Sequence, residues 1–313
     1  MMLILWLLLG VVVIILGVGA FTFFAACRRM KEPNWLDTDK LKNTMYAPCC
    51  DMIQDAAKWL ENHQTREISV KSTDGLELKA IWVPAENAKG TILLAHGYRS
   101  VMLIDFGMVM DYYHQMGLNL LLPFQRSHGK SEGKYITFGV KESDDMCQWI
   151  NYHNSDLFDG PIVVSGLSMG ASTVMYMLDK VLPDNVVAAV VDCGFTSPAA
   201  IVGKVFKDIM HIPGGFFVRV ADVFARIFGG FSLYEKDSRK TLEKNRYPIL
   251  MVHGKADKFV PCYMTEQGYE RCSGDKRLLL VENAAHGFSF LHDTQQYKRL
   301  VEEIVELGLK RTE

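Results

Sequence analysis

The chain begins with a stretch that lacks charge altogether: from Met1 to Cys27 no side chain is acidic or basic, and the Cys27 thiol alone can ionise. A helix buried in a soluble core shows periodic polar positions, and this stretch has none. A cleaved signal peptide carries its basic residues before a short apolar run. Here the first basic cluster, Arg28-Arg29-Met30-Lys31, comes after it. The remaining reading is a membrane anchor over 1–27. Leu3 to Ala26 is almost wholly apolar, and about 20 such residues cross a bilayer. Lys/Arg-rich flanks stay cytoplasmic, which predicts a single-pass protein with the bulk of the chain on the cytoplasmic face.

Other absences narrow the class further. Cys27, Cys49, Cys50, Cys147, Cys193, Cys262 and Cys272 are odd in number and irregular in spacing, so no disulfide framework is expected. Cys49 and Cys50 are adjacent but lack a second pair, and no metal site is expected. A net charge of −2 gives no electrostatic footprint for nucleic acid. The run Arg126-Ser127-His128-Gly129-Lys130-Ser131 ends like a phosphate-binding loop, but that loop needs a glycine at 124, where the chain has Phe. There is no internal repeat and no low-complexity linker. After the anchor, roughly 245 residues suit one large domain.

What is present is an alternation of short apolar runs with helical stretches, which predicts a mostly parallel sheet flanked by helices. A hairpin opens it, Ile68–Ser72 and Leu76–Val83 joined at Asp74-Gly75. Strands are expected near 91–95, 119–123, 161–165, 186–191, 247–252 and 277–281. Helices are expected near 104–116, 138–153, 169–180, 261–272 and 293–308. Before the hairpin, 28–65 reads as a juxtamembrane helical segment. In it Met52, Ile53, Ala56, Ala57 and Leu60 share a face that suits the domain or the membrane equally.

Gly166-Leu167-Ser168-Met169-Gly170 lies between an expected strand and an expected helix. G-x-S-x-G in that setting is a nucleophile elbow, whose glycines make room for a turn that lifts the serine above the sheet. The competing reading of Ser168 is an ordinary helix N-cap. Asp257 and His286 follow on loops after expected strands, where a rigid sheet holds polar groups at a cleft. Asp192 is an alternative acid, and His96, His128 and His253 are alternative bases, each beside a glycine near a strand end. Serine needs an adjacent base to attack at neutral pH. His286 suits that role, with Asp257 fixing its tautomer. The Met169 N–H, just after the nucleophile, would be one oxyanion donor.

The order Ser, Asp, His and the elbow's setting resemble the α/β-hydrolase superfamily over roughly 66–310. The likeness is to bacterial serine esterase/lipase-like and serine aminopeptidase-like members with one N-terminal anchor. The resemblance implies the α/β-hydrolase fold for 66–313, a helical cap inserted at about 197–240, and no cofactor. It also implies a second oxyanion donor in His96-Gly97-Tyr98-Arg99-Ser100, the Tyr98 N–H. Arg126 to Ser131 resembles the Arg-x-x-Gly-x-Ser loop of relatives, which often carry Asp where this chain has Phe124. The 197–240 stretch is rich in apolar side chains, broken by Pro213-Gly214-Gly215. Of these, Met210, Phe216, Phe217, Phe224 and Phe228 are the expected acyl-pocket residues, since apolar sites suit apolar chains. Lys204, Lys207, Arg219 and Arg226 offer an anionic headgroup a landing site instead. The expectation is a small-molecule or lipid ester as substrate. An acyl-protein thioesterase or serine aminopeptidase is the rival reading, and Asp208 and Asp222 are its candidate acids for a substrate ammonium.

Overall fold

Strands covered on both faces need no polar alternation, and Val, Ile and Leu crowd favourably on a pleated surface. The runs Gly90–Ala95 (β3), Leu118–Pro123 (β4), Val186–Asp192 (β6) and Ile249–Gly254 (β7) are accordingly buried along their whole length. With Arg66–Lys71 (β1), Glu77–Val83 (β2), Ile162–Leu167 (β5) and Lys276–Val281 (β8) they form one eight-stranded sheet, ordered β1-β2-β4-β3-β5-β6-β7-β8. β2 runs antiparallel to both its neighbours, and every other pairing is parallel. The computed structural model describes residues 1–31, 37, 41–44 and 46–310.

The expected strands all form, within a few residues of their predicted bounds. Two helices differ. The stretch 104–116 is two short helices, Met102–Phe106 and Met110–Gln115. They part at Gly107, where a Cβ would lie 2.4 Å from Leu103 O and 3.0 Å from Ala56 Cβ. The 138–153 helix begins later, at Glu142, because Phe138 and Gly139 have positive φ. The buried Glu142 carboxylate accepts from the Thr137 and Gly139 N–H groups instead. The expected juxtamembrane segment falls partly outside the described residues. Its helix, Cys50–Asn62, lies on the domain: Ile53 is fully buried against Val101, Ile104 and Phe288.

The N-terminal helix α1, Met2–Cys27, is long and apolar enough to cross a membrane. At 1.5 Å per residue it is roughly 39 Å long. Its first two turns and most of its middle stand free, whereas Gly19, Thr22, Phe23 and Cys27 are buried. They pack against an insertion between β6 and β7 made of a first helix, Pro198–Met210, and a second, Gly215–Phe224, which continues into a π-turn at Ala225–Gly229. The approach is close: a Cβ on Gly19 would sit 2.3 Å from Val220 Cγ1. Phe23 stacks on Phe228 and leans on Tyr135. Hydrogen bonds then fix the end of α1 to the body. Ile136 N–H donates to Cys27 O at 2.7 Å, Arg29 N–H to Lys134 O at 2.9 Å, and the Arg29 guanidinium to Ser131 O and Gly129 O at 2.6 Å each.

Candidate active site

Ser168 follows β5 directly and carries φ 57° and ψ −115°, a conformation that side chains with a Cβ resist. The flanking glycines permit the turn. A Cβ at Gly170 would lie 1.8 Å from Ala95 O, and one at Gly166 2.2 Å from Gly170 O. The Ser168 N–H donates to Asp192 O, so the turn is pinned to the end of β6. The Ser168 side chain caps no helix N–H, which sets aside the N-cap reading.

The loops after β7 and β8 bring Asp257 and His286 to this turn. His286 Nε2 lies 2.9 Å from Ser168 Oγ and Nδ1 lies 2.6 Å from Asp257 Oδ2. An ionised carboxylate only accepts, so the Nδ1 carries the proton and Nε2 is left to accept from the serine hydroxyl. Burial works to raise the Asp257 carboxyl, but hydrogen bonds from His253 and His286 outweigh it and hold the group well below the usual carboxylate range. Asp257 Oδ1 also accepts from the N–H groups of Phe259 and Val260.

The alternative residues have other tasks. Asp192 Oδ1 accepts from Ser289 Oγ at 3.0 Å. His253 sits between Thr265 Oγ1, Val260 O and Asp257 Oδ2 at 2.7, 2.9 and 3.2 Å, beside the acid. His96 Nε2 accepts from Gln125 N–H and His128 Nε2 from Arg99 N–H, so both rings brace the 96–100 loop. Burial depresses both imidazoles, His96 to about 4, as a neutral acceptor requires.

In that loop the Tyr98 residue borders Ser168, and Met169 begins the helix Met169–Met177. Neither backbone N–H has an acceptor among the described residues. Gly97 N–H, by contrast, donates to Asp105 Oδ2 at 2.5 Å, and Ser100 Oγ donates to Asp105 Oδ1 at 2.7 Å. Asp105 was not a sequence candidate; its signal would have been an acid among the apolar residues of Met102–Phe106, a place that needs a partner. Burial pushes its carboxyl up to about 6, against those two hydrogen bonds. A folded-state value above the unfolded value of 3.8 costs stability as pH rises from 3.8, and the cost is complete above about 6. Asp105→Asn is neutral at every pH. Its melting temperature relative to native protein should therefore be more favourable at pH 8 than at pH 5, by about 1 kcal/mol of stability. An equal difference at the two pH values would refute a buried, ionising Asp105.

Two cavities meet at Ser168. The smaller, about 200 Å³, is lined by Gly97, Asp105, His286 and Phe288 among others. The larger, about 590 Å³, lies between Ile201, Phe206 and Met210 of the first inserted helix and Val18, Phe21 and Ala25 of α1. Of the expected pocket residues only Met210 lines it. Phe217 stacks on Phe206, and Phe216 meets Phe217 edge-on, neither lining the cavity. Phe224 and Phe228 stack on each other, and Phe228 meets Phe23 and Phe24 of α1. The sequence marked these rings as apolar but not which apolar neighbour each meets, and α1 takes the Phe228 ring. Among the cations, Lys204 pairs with Asp208, and Arg226 with Asp222. Asp222 Oδ1 also accepts from Ser232 Oγ and Leu233 N–H.

The loop after β4 packs around Phe124. The ring fills the space above Gly129, where a Cβ would fall 2.2 Å from Phe124 Cδ1. Ser131 Oγ donates to Phe124 O at 2.5 Å.

No family model matches the chain. It is 26% identical to the uncharacterized protein YqkD of Bacillus subtilis strain 168 over 257 residues, 82% of this chain and 84% of that one. It is 25% identical to the uncharacterized protein YfhR of Escherichia coli K12 over 272 residues, 84% of this chain and 87% of that one. Among solved structures, the Pyrococcus furiosus esterase Pf2001 superposes with a TM-score of 0.62 at 22% identity, covering 82% of this chain and 95% of that one. Est1E of Butyrivibrio proteoclasticus, with ferulic acid bound, superposes at 0.58 and 18% identity, covering 76% and 99%. With the sheet order and the elbow described above, these likenesses define the class: the chain has the α/β-hydrolase fold.

Proposed function

We propose that this chain is a membrane-anchored serine hydrolase that cleaves carboxylic esters with an apolar acyl group, working on the cytoplasmic face. The observation that carries this is the line Ser168–His286–Asp257, with hydrogen-bond spacing throughout, at the floor of a largely apolar cavity. Ser168 Oγ attacks the ester carbonyl as its proton passes to His286 Nε2. The oxyanion that forms takes hydrogen bonds from the Met169 and Tyr98 N–H groups, each worth about 3–4 kcal/mol by the cost of removing such donors elsewhere. Collapse breaks the bond to the alcohol, which leaves with the proton from His286. Water then attacks the acyl-serine, giving its proton to the same nitrogen, and the acid departs as Ser168 recovers its hydrogen. Every proton in this sequence is moved by the protein, so the chemistry needs no cofactor.

A serine aminopeptidase would need a free carboxylate near the cleft for the substrate ammonium. The engagement of Asp208 and Asp222 within the insertion favours the ester over that reading. Similarly, the pairing of Lys204 and Arg226 leaves the headgroup role without its strongest cations.

The test is the rate on p-nitrophenyl esters of rising acyl length. Each methylene moved from water into the cavity is worth about 0.8 kcal/mol, so kcat/KM should climb roughly fourfold per methylene until the chain fills the space. A preference for the acetyl ester over medium chains would rule out an apolar acyl site.

A further inference from the structure

The anchor and the acyl cavity are one piece of structure. On the reading of this site as an ester hydrolase, we propose that α1 is a working wall of the active site, along which the acyl chain of a bilayer-resident ester lipid slides directly to Ser168. Three independent observations converge on it.

First, the lining. Ile14, Gly17, Val18, Phe21, Thr22, Ala25 and Ala26 face the same cavity as Ser168. They recur at steps of three and four, one stripe of the helix. A tether would reach the domain only at its end. Here the stripe runs from the middle of the helix to its last turn.

Second, the rigidity of the join. Beyond the packing at Gly19 and Phe23, the loop that carries the Tyr98 N–H grips the helix end. Tyr98 Oη donates to Ala26 O at 2.7 Å, and Arg99 Nη2 donates to Ala25 O at 2.7 Å. The position of α1 and that of the oxyanion loop are thereby fixed together.

Third, the surroundings of the cavity mouth. Ile14 lies in the part of α1 that stands clear of the body, and it is 66% exposed. Ile209 and Met210 line the cavity with it, and the insertion also presents Ile212, Phe216 and Ile227 to the outside. Such a patch is costly in water and ordinary in lipid. The apolar residues of α1 ahead of this join would sit in the bilayer, so a domain fixed to its C-terminal third sets these side chains at the membrane surface. The occupant that fits is an acyl chain from the bilayer. It would pass from lipid to cavity without crossing water, so the apolar walls meet it dehydrated.

The experiment uses the full chain in phosphatidylcholine vesicles, with p-nitrophenyl decanoate and p-nitrophenyl acetate as probes. Gly17 has open space where a Cβ would go and lines the cavity, so Gly17→Trp thrusts bulk into the acyl path while the anchor stays apolar. The ratio of decanoate to acetate kcat/KM should fall at least tenfold. Gly10→Trp, on the same helix but away from the cavity, should leave the ratio unmoved. A second measurement does not depend on any variant. A decanoyl fluorophosphonate with a terminal diazirine is bound to Ser168 of the native protein and irradiated, and its chain end should cross-link within residues 14–26. If the native enzyme is active but Gly17→Trp keeps the native ratio and cross-links fall only in the domain body, α1 is a tether and the inference is overturned. If the native protein hydrolyses neither ester and the phosphonate leaves Ser168 unlabelled, the hydrolase reading itself fails.

Discussion

Ser168→Ala should lower kcat toward the best ester by at least about 10⁴-fold, because removing the nucleophile disables the whole assembly rather than one additive part. The loss should come without unfolding. Alanine keeps the Cβ that already tolerates φ 57° and removes an oxygen whose hydrogen bond is to His286. The backbone bond from residue 168 to Asp192 O survives. Far-UV circular dichroism and melting temperature should therefore match the native protein while turnover disappears. Binding of a long-chain ester should persist, since the apolar cavity is untouched. The same variant should resist labelling by a fluorophosphonate that modifies the native enzyme. Native-level turnover in the variant would mean that another residue attacks the ester, and the role assigned to Ser168 would have to be abandoned.

The largest stability effect is expected at Arg126. Its guanidinium is almost wholly buried and forks onto the Asp145 carboxylate, with both contacts at 2.6 Å, while Nη1 reaches Asp74 at 2.9 Å. Asp145 is itself sealed from water; burial pushes its carboxyl up to about 6 even with this partner beside it. Asp74, by contrast, is held well below the usual range by its hydrogen bond from Arg126. Arg126→Met would leave a buried acid with no counter-charge, at a cost of about 3–5 kcal/mol. That corresponds to a fall in melting temperature of about 10 °C for a domain of this size. Activity should suffer too, because the loop holding Arg126 also supplies the Gln125 and His128 contacts that brace the residues around Tyr98. The check on mechanism is the double variant Arg126→Met with Asp145→Leu, which should regain most of the loss, since what is costly is the orphaned charge and not the missing pair. A single variant that melts within a degree or two of the native protein would refute this account.

The sequence by itself determined a great deal. Short apolar runs between helical stretches point to a parallel sheet, because strands buried on both faces can be made of little else. Gly166 and Gly170 mark the elbow, since a Cβ at either would meet backbone. The uncharged span to Cys27 forms a helix long and apolar enough to cross a membrane. These features are local: each depends on residues a few positions apart. The roles of Asp105, His96 and His128 were not legible, because a buried polar group is explained by its partner, and their partners are contributed by loops far away in the chain. Nor was the fate of Phe224 and Phe228. Both were correctly apolar, yet a hydrophobic contact has no direction and the sequence does not say which surface will meet it. Only the tertiary structure decided that for Phe228 the surface is α1, and so brought the N-terminal helix and the α/β domain, read separately from opposite ends of the chain, around a single cavity that reaches Ser168.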